Sequence, residues 1–192
     1  MNKAVFLDRD GVINPLVYNP ETSQYESPHI DTDFNIYPHT LKSLQLLKSQ
    51  GYVIIVVSNQ PSYAKGKASL ENIKQIAGLL SDFSEENGHL IDEFYYCYHH
   101  PDGVVAEYSI KCKCRKPGTL FLEEAVKKFD LDKDLCWFVG DRDTDITCGK
   151  AMGFKTVKII NEHSADKSGN ETPTQFADNL HEAALKIVNF KA

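Results

Sequence analysis

Ala4-Val5-Phe6-Leu7-Asp8-Arg9-Asp10-Gly11 runs four apolar residues straight into two acids one residue apart. An unbroken apolar run that stops on charge reads as a strand buried on both faces, as in a parallel sheet. The pattern recurs along the chain. Tyr52-Val53-Ile54-Ile55-Val56-Val57 ends in Ser58-Asn59-Gln60, and Leu135-Cys136-Trp137-Phe138-Val139 ends in Gly140-Asp141. Glu93-Phe94-Tyr95-Tyr96 and Thr156-Val157-Lys158-Ile159-Ile160 read as two further strands. Helical spacing fills the intervals: 40–50 closed by Gly51, 69–87 closed by Gly88, and a helix opened by Pro117 and carried by Leu120, Leu122, Ala125, Val126 and Phe129. A short helix over Asp143–Met152, a polar loop over 161–172 and a closing helix over 173–189 complete the reading. Strands alternating with helices predict an α/β fold with a doubly wound parallel sheet, in a single domain over residues 1–192.

Composition narrows the functions. The 192 residues are 42% hydrophobic and 25% charged, and 21 Lys+Arg against 27 Asp+Glu give a net charge of −6. An acidic chain without a basic cluster is a poor binder of nucleic-acid backbone. No apolar run approaches the roughly 20 residues needed to cross a bilayer. The N-terminal segment meets Asp8 too soon for a signal peptide; a cytoplasmic location and a monomer are expected. Five cysteines are an odd number, and three of them gather near one His, which favours a metal over disulfides.

Two stretches break the strand–helix rhythm: residues 12–38, polar and aromatic, and residues 97–116, which hold the clustered cysteines. Both are expected above the carboxyl edge of the sheet, where ligands bind in such folds. Asp8 and Asp10 follow one strand, with Gly11 permitting a bend, while Asp141 and Asp145 follow another. If those strands are neighbours, at least three carboxylates share a crevice and need a cation. Oxygen ligands with room for water suit Mg²⁺. Ser58, with the Asn59 N–H beside it, can hold a phosphoryl oxygen, and Lys116, flanked by Arg115 and Pro117, brings positive charge to a helix start, itself an anion site. A carboxylate nucleophile, a metal, a hydroxyl and a fixed cation together make a phosphoryl-transfer toolkit.

Phe6-Leu7-Asp8-Arg9-Asp10-Gly11-Val12-Ile13-Asn14 resembles the first motif of the haloacid dehalogenase (HAD) superfamily of aspartate-nucleophile phosphatases, and Ser58, Lys116 and Gly140-Asp141 follow in the order of its other three. Ser58-Asn59-Gln60 and Cys97-Tyr98-His99-His100-Pro101 with Cys112-Lys113-Cys114-Arg115-Lys116-Pro117 are similar to the subgroup of heptose-bisphosphate and histidinol-phosphate phosphatases. The resemblance implies a HAD-like Rossmannoid fold without a large cap. It also implies attack on phosphorus by Asp8, proton transfer by Asp10, and stabilisation of phosphoryl oxygens by Ser58 and Lys116. Mg²⁺ would sit on Asp8, the Asp10 carbonyl and Asp141, with Arg115 touching substrate. An inactive zinc-stabilised binding module is the contrasting reading.

Cys97, His99, Cys112 and Cys114 fit a closed tetrahedral Zn²⁺ site. The one-residue spacing within each pair is tighter than usual, but the subgroup carries the same pairing. Alternation along an extended segment selects His99 over His100. The zinc would fold a coreless loop over the active site. Residues 61–68 occupy the place of a substrate loop in the heptose enzymes. Ala64, Gly66 and Lys67 match it, whereas Lys65 replaces an Arg, Ala68 an aromatic and Pro61-Ser62 a Ser-Gly. Lys65 and Lys67 are therefore candidate substrate contacts, although a Lys lacks the planar bidentate grip of an Arg. The substrate expected is a small phosphorylated metabolite, foremost D-glycero-D-manno-heptose 1,7-bisphosphate, with histidinol phosphate as the alternative. Residues 15–38, with Tyr18, Tyr25, Phe34 and Tyr37, read equally as a substrate wall or as a surface lobe.

Overall fold

A computed structural model describes residues 1–164 and 171–191. Its centre is a parallel sheet of six strands: β1 (Lys3–Leu7), β4 (Tyr52–Asn59), β5 (Glu93–Cys97), β6 (Trp137–Gly140), β7 (Lys155–Ile159) and β8 (Gln175–Ala177), in spatial order β5-β4-β1-β6-β7-β8. From β1 the chain moves outward through β4 to β5, then returns to pair β6 with the other side of β1. The order therefore reverses between β1 and β6, and a crevice opens at that switch point. The two acid-bearing strand ends are thus neighbours.

Alternation along β1 explains the two cores. Val5 and Leu7 face one side, packed with Leu44 and Leu47 of α1 (Thr40–Ser49), Leu80 of α2 (Leu70–Glu86) and Ala183 and Ile187 of α5 (Leu180–Val188). Ala4 and Phe6 face the other side, against Leu122 and Ala125 of α3 (Leu120–Lys128) and Cys148 of α4 (Asp143–Ala151). Burial on both faces is why these strands lack polar alternation. Cys136 and Cys148 serve there as small apolar residues.

The insertion carries a small antiparallel hairpin, β2 (Val17–Asn19) and β3 (Gln24–Glu26), followed by a 3₁₀ turn at Asp31–Asp33. Most element ends fall within one or two residues of those expected, and three differences have a physical cause. The closing helix begins at Leu180, after the extra strand β8, because Asn179 caps it by accepting hydrogen bonds from the N–H groups of His181 and Glu182. Leu135 lies in a 3₁₀ turn before β6 rather than in the strand. Pro117 does not open α3: residues 113–118 form a turn, closed by Gly118 N–H to Arg115 C=O and Leu120 N–H to Lys113 C=O, that delays the helix to Leu120. Lys116 is accordingly not at a helix start. Residues 165–170 of the expected 161–172 loop lie outside the described residues. No helix among the described residues is long and apolar enough to cross a membrane.

Candidate active site

Asp8 leaves β1 with its N–H donated to the Val139 carbonyl of β6 (2.9 Å), so the sheet register itself aims the residue at the switch point. Three donors converge on one oxygen, Oδ1: the Arg9 N–H (2.7 Å), Ser58 Oγ at the end of β4 (2.8 Å) and Lys116 Nζ (2.9 Å). No hydrogen bond among the described residues engages Oδ2. One oxygen is fixed and the other is left for chemistry.

The Lys116 ammonium is buried, donates to the Val57 carbonyl (2.8 Å) and is ion-paired with both Asp8 Oδ1 and Asp145 Oδ1 (2.6 Å). Burial alone would neutralise it, but Asp145 and Asp8 outweigh burial and raise its pKa above the ordinary lysine range. Its backbone is bracketed by the Asn59 side chain, which accepts from the Lys116 N–H (3.0 Å) and donates to the Lys116 C=O (3.2 Å). Asn59 lines the crevice, as expected of a residue whose N–H is to meet a phosphoryl oxygen, and its side chain places the lysine.

Asp141 follows β6, and Asp145 lies in the first turn of α4, where Oδ2 accepts from the Arg142 N–H (3.1 Å). Carboxylate oxygens of Asp8, Asp141 and Asp145 lie within 4.8 Å of one another. Burial, and then the charges of Asp8 and Asp145, push the Asp141 carboxyl up to about 8. Burial and Asp8 push Asp145 up to about 6 against the pull of Lys116. Ser164 Oγ donates to Asp141 Oδ2 (2.9 Å), while buried Oδ1 has no partner among the described residues. An orphaned hard oxygen beside two more acids is the donor set a small divalent cation takes. Gly11 makes the convergence possible: its φ is +87°, and a Cβ there would overlap the Asp141 carboxylate.

Asp10 lines the same crevice but does not join the cluster of three. Its carboxylate is forked by Arg9, from Nε to Oδ1 (3.0 Å) and Nη2 to Oδ2 (3.2 Å). It also accepts from Asn14 Nδ2 (2.9 Å) and Gln60 Nε2 (2.7 Å). Burial would push this carboxyl up, but Arg9 and those amides outweigh it and hold Asp10 below its ordinary value. Arg9 is 0% exposed, its guanidinium carbon 5.7 Å from the ring centroid of Phe34 and 6.0 Å from that of Tyr96, and Nη2 also donates to Gln60 Oε1 (2.9 Å). The Arg9–Gln60–Asn14 brace escaped the sequence reading. A buried Arg beside two acids was the only signal for it, since charged residues are rarely buried unless paired.

The crevice has a volume of about 370 Å³. Beyond the acids its wall is basic, with Lys65, Lys67, Arg115 and Arg142. Arg115 also donates to the His99 carbonyl (3.4 Å). The insertion supplies Gln24, Tyr25, Glu26 and His29, so the hairpin is a wall of the crevice. Of the four aromatics noted there, Tyr25 reaches the crevice and stacks on His163 at 3.7 Å between centroids. Tyr18 is exposed, Phe34 packs on the core, and Tyr37 borders a separate cavity.

Beside the crevice, Cys97, His99, Cys112 and Cys114 come together. The Sγ–Sγ separations are 3.6, 3.4 and 3.2 Å, and His99 Nδ1 is 3.8 and 3.5 Å from the sulfurs of Cys97 and Cys114. Tetrahedral zinc with Zn–S bonds of about 2.3 Å needs S–S edges near 3.7 Å, so the four ligands fit such an ion. His100 is not among them; its Nδ1 accepts from the Asp102 N–H.

Comparison with known proteins agrees with this geometry. A HAD-hydrolase-like family model matches residues 113–183. The D-glycero-beta-D-manno-heptose-1,7-bisphosphate 7-phosphatase of Haemophilus ducreyi is 33% identical over 159 residues, 82% of each chain. The D-glycero-alpha-D-manno-heptose-1,7-bisphosphate 7-phosphatase of Photorhabdus laumondii is 32% identical over 177 residues, 91% of this chain and 89% of that one. In fold, the D,D-heptose 1,7-bisphosphate phosphatase of B. bronchiseptica, solved with magnesium and phosphate, superposes with a TM-score of 0.77 at 20% identity, covering 98% of both chains. Likeness of this extent, over a sheet whose switch point gathers the acids of Asp8, Asp141 and Asp145, shows that the chain belongs to the HAD-type phosphatases, in the family of the heptose-1,7-bisphosphate 7-phosphatases.

Proposed function

We propose that this phosphatase removes the C7 phosphate of D-glycero-D-manno-heptose 1,7-bisphosphate through an aspartyl-phosphate on Asp8. The observation that carries the reading is the asymmetry of Asp8: three donors hold Oδ1, and Oδ2 is without a hydrogen bond. Oδ2 attacks phosphorus in line, forming the new P–O bond as the bond to the sugar oxygen breaks. Ser58 and Lys116, which hold Oδ1 in the free protein, turn those donors from Asp8 to the phosphoryl oxygens as the substrate enters and stabilise the charge gathering there. Asp10 gives a proton to the departing oxygen and then takes one from the water that hydrolyses the acyl phosphate. Its ion pair with Arg9 suits the second step. The incoming phosphate dianion raises its proton affinity for the first. Asp8, the Asp10 carbonyl and Asp141 would hold Mg²⁺, which supplies charge neutralisation of these acids and of the substrate. The basic wall of Lys65, Lys67, Arg115 and Arg142 gives a second phosphate somewhere to bind.

The same reading places a structural Zn²⁺ on Cys97, His99, Cys112 and Cys114. Arg115 alone separates the last ligand from Lys116, so the ion would fix where both cations point. Thiolate ligands are kept available in a reducing compartment, which supports a cytoplasmic enzyme; one six-stranded sheet between two cores supports a single domain, which we take to act as a monomer.

Phosphate release from the heptose bisphosphate is expected to require Mg²⁺, to stop with EDTA, and to exceed that from histidinol phosphate by about a hundredfold in kcat/KM. The reverse preference would replace the substrate. Metal analysis of the purified protein is expected to find about one zinc per chain. Cys112→Ser is expected to lose it and to raise KM by about tenfold, more than it lowers kcat. Full activity in a zinc-free variant would end the structural-metal reading.

A further inference from the structure

The hairpin of the insertion places a carboxylate among the cations of the crevice. Glu26, the last residue of β3, accepts from Lys67 Nζ at 2.6 Å and from Thr22 Oγ1 at 2.8 Å, both on Oε1. Its Oε2 is buried and lies 3.5 Å from His29 Nε2. The side chain is only 12% exposed, so Glu26 is part of the crevice wall and not a residue of its rim. Lys67 is therefore already satisfied by an internal anion. A second phosphate arriving at Lys67 would meet a fixed negative charge and would have to take the ammonium from it. Like charges brought together in a partly desolvated site oppose binding strongly, which is how repulsive elements set specificity.

We propose that Glu26 is a specificity-determining residue: it occupies Lys67 as a resident counter-ion and weakens the binding of substrates carrying a second phosphate relative to those carrying one. This rests on the reading of the crevice as a phosphate-ester site and deepens it. Partial burial disfavours ionisation of Glu26, but the hydrogen bonds from Lys67 and Thr22 outweigh it and hold the carboxyl below its ordinary value. His29 does not cancel the charge, because burial lowers its own proton affinity, with Glu26 only partly restoring it. The position agrees with the departures in residues 61–68, where Lys65 stands in place of an Arg: of the two point charges this loop gives the crevice, one is engaged by the hairpin.

The test compares wild type with Glu26→Gln, which removes the charge while keeping an oxygen for Lys67 and Thr22 and so preserves the anchoring of the hairpin. Steady-state kinetics are measured with the heptose 1,7-bisphosphate and with the same sugar bearing only the 7-phosphate. The ratio of kcat/KM, bisphosphate over monophosphate, is expected to rise about tenfold, through KM of the bisphosphate. A ratio that is unchanged or falls overturns the proposal, since a purely structural anchor would affect both esters alike. Calorimetric titration of the intact bisphosphate into Asp8→Asn and into Asp8→Asn/Glu26→Gln gives the second arm. Kd is expected to drop about tenfold with Glu26 neutralised, and no drop overturns the proposal. If wild type releases phosphate from neither ester, the phosphatase assignment fails separately, and the calorimetry still decides the role of Glu26.

Discussion

Asp8→Asn is expected to reduce kcat by at least about 10⁴-fold while leaving the fold and its thermal stability intact. The amide keeps an oxygen for the Arg9 N–H, Ser58 and Lys116, but it cannot form an acyl phosphate. The stability expectation has a definite sign. Asp8 raises the carboxyl pKa of both Asp141 and Asp145, so its negative charge works against theirs in the folded protein. Removing it relieves that repulsion, and Tm measured without divalent metal is expected to hold or rise. Activity within tenfold of wild type would refute the nucleophile. A collapse of Tm would show that Asp8 is needed to hold Lys116.

Lys116→Met is expected to fail on both counts. Its ammonium is the shared partner of two buried acids and the Val57 carbonyl. Without it, Asp8 and Asp145 remain as uncompensated buried charge, which costs about 3 kcal/mol of stability. The phosphoryl oxygens lose a fixed cation as well, and kcat is expected to fall about 10³-fold. The two effects separate in Lys116→Met/Asp145→Asn. Neutralising Asp145 should recover much of the lost stability in denaturant unfolding, whereas activity should stay down. Recovery of both would mean that the lysine only balances charge.

The residues explain which parts of this were legible in advance. Strands buried on both faces announce themselves as apolar runs, and the ends of β1, β4 and β6 carried Asp8, Ser58 and Asp141 with them. Strand β8 gave no such signal. It is three residues long, only Ala177 is buried, and Phe176 is half exposed. What holds its approach is a reciprocal pair of hydrogen bonds between Thr156 and Thr174, each backbone N–H to the other's hydroxyl, which no periodicity encodes. The hairpin of β2 and β3 escaped for the same reason, being short and largely exposed. In the site, charge counting found the carboxylates. It could not foresee that Asp10 would turn to Arg9, Asn14 and Gln60, because Gln60 stands 50 positions away and meets Asp10 only through the pairing of β1 with β4.

Asn59 has a consequence for anyone who would transplant this chemistry. Its amide grips the peptide of Lys116 at both the N–H and the C=O, so the strand that presents the Ser58 hydroxyl and the loop that presents the ammonium shift as one unit. Exchanging residues 97–116 between homologues should preserve turnover only when the recipient keeps a carboxamide at 59. A chimera lacking it would inherit the cation without its aim.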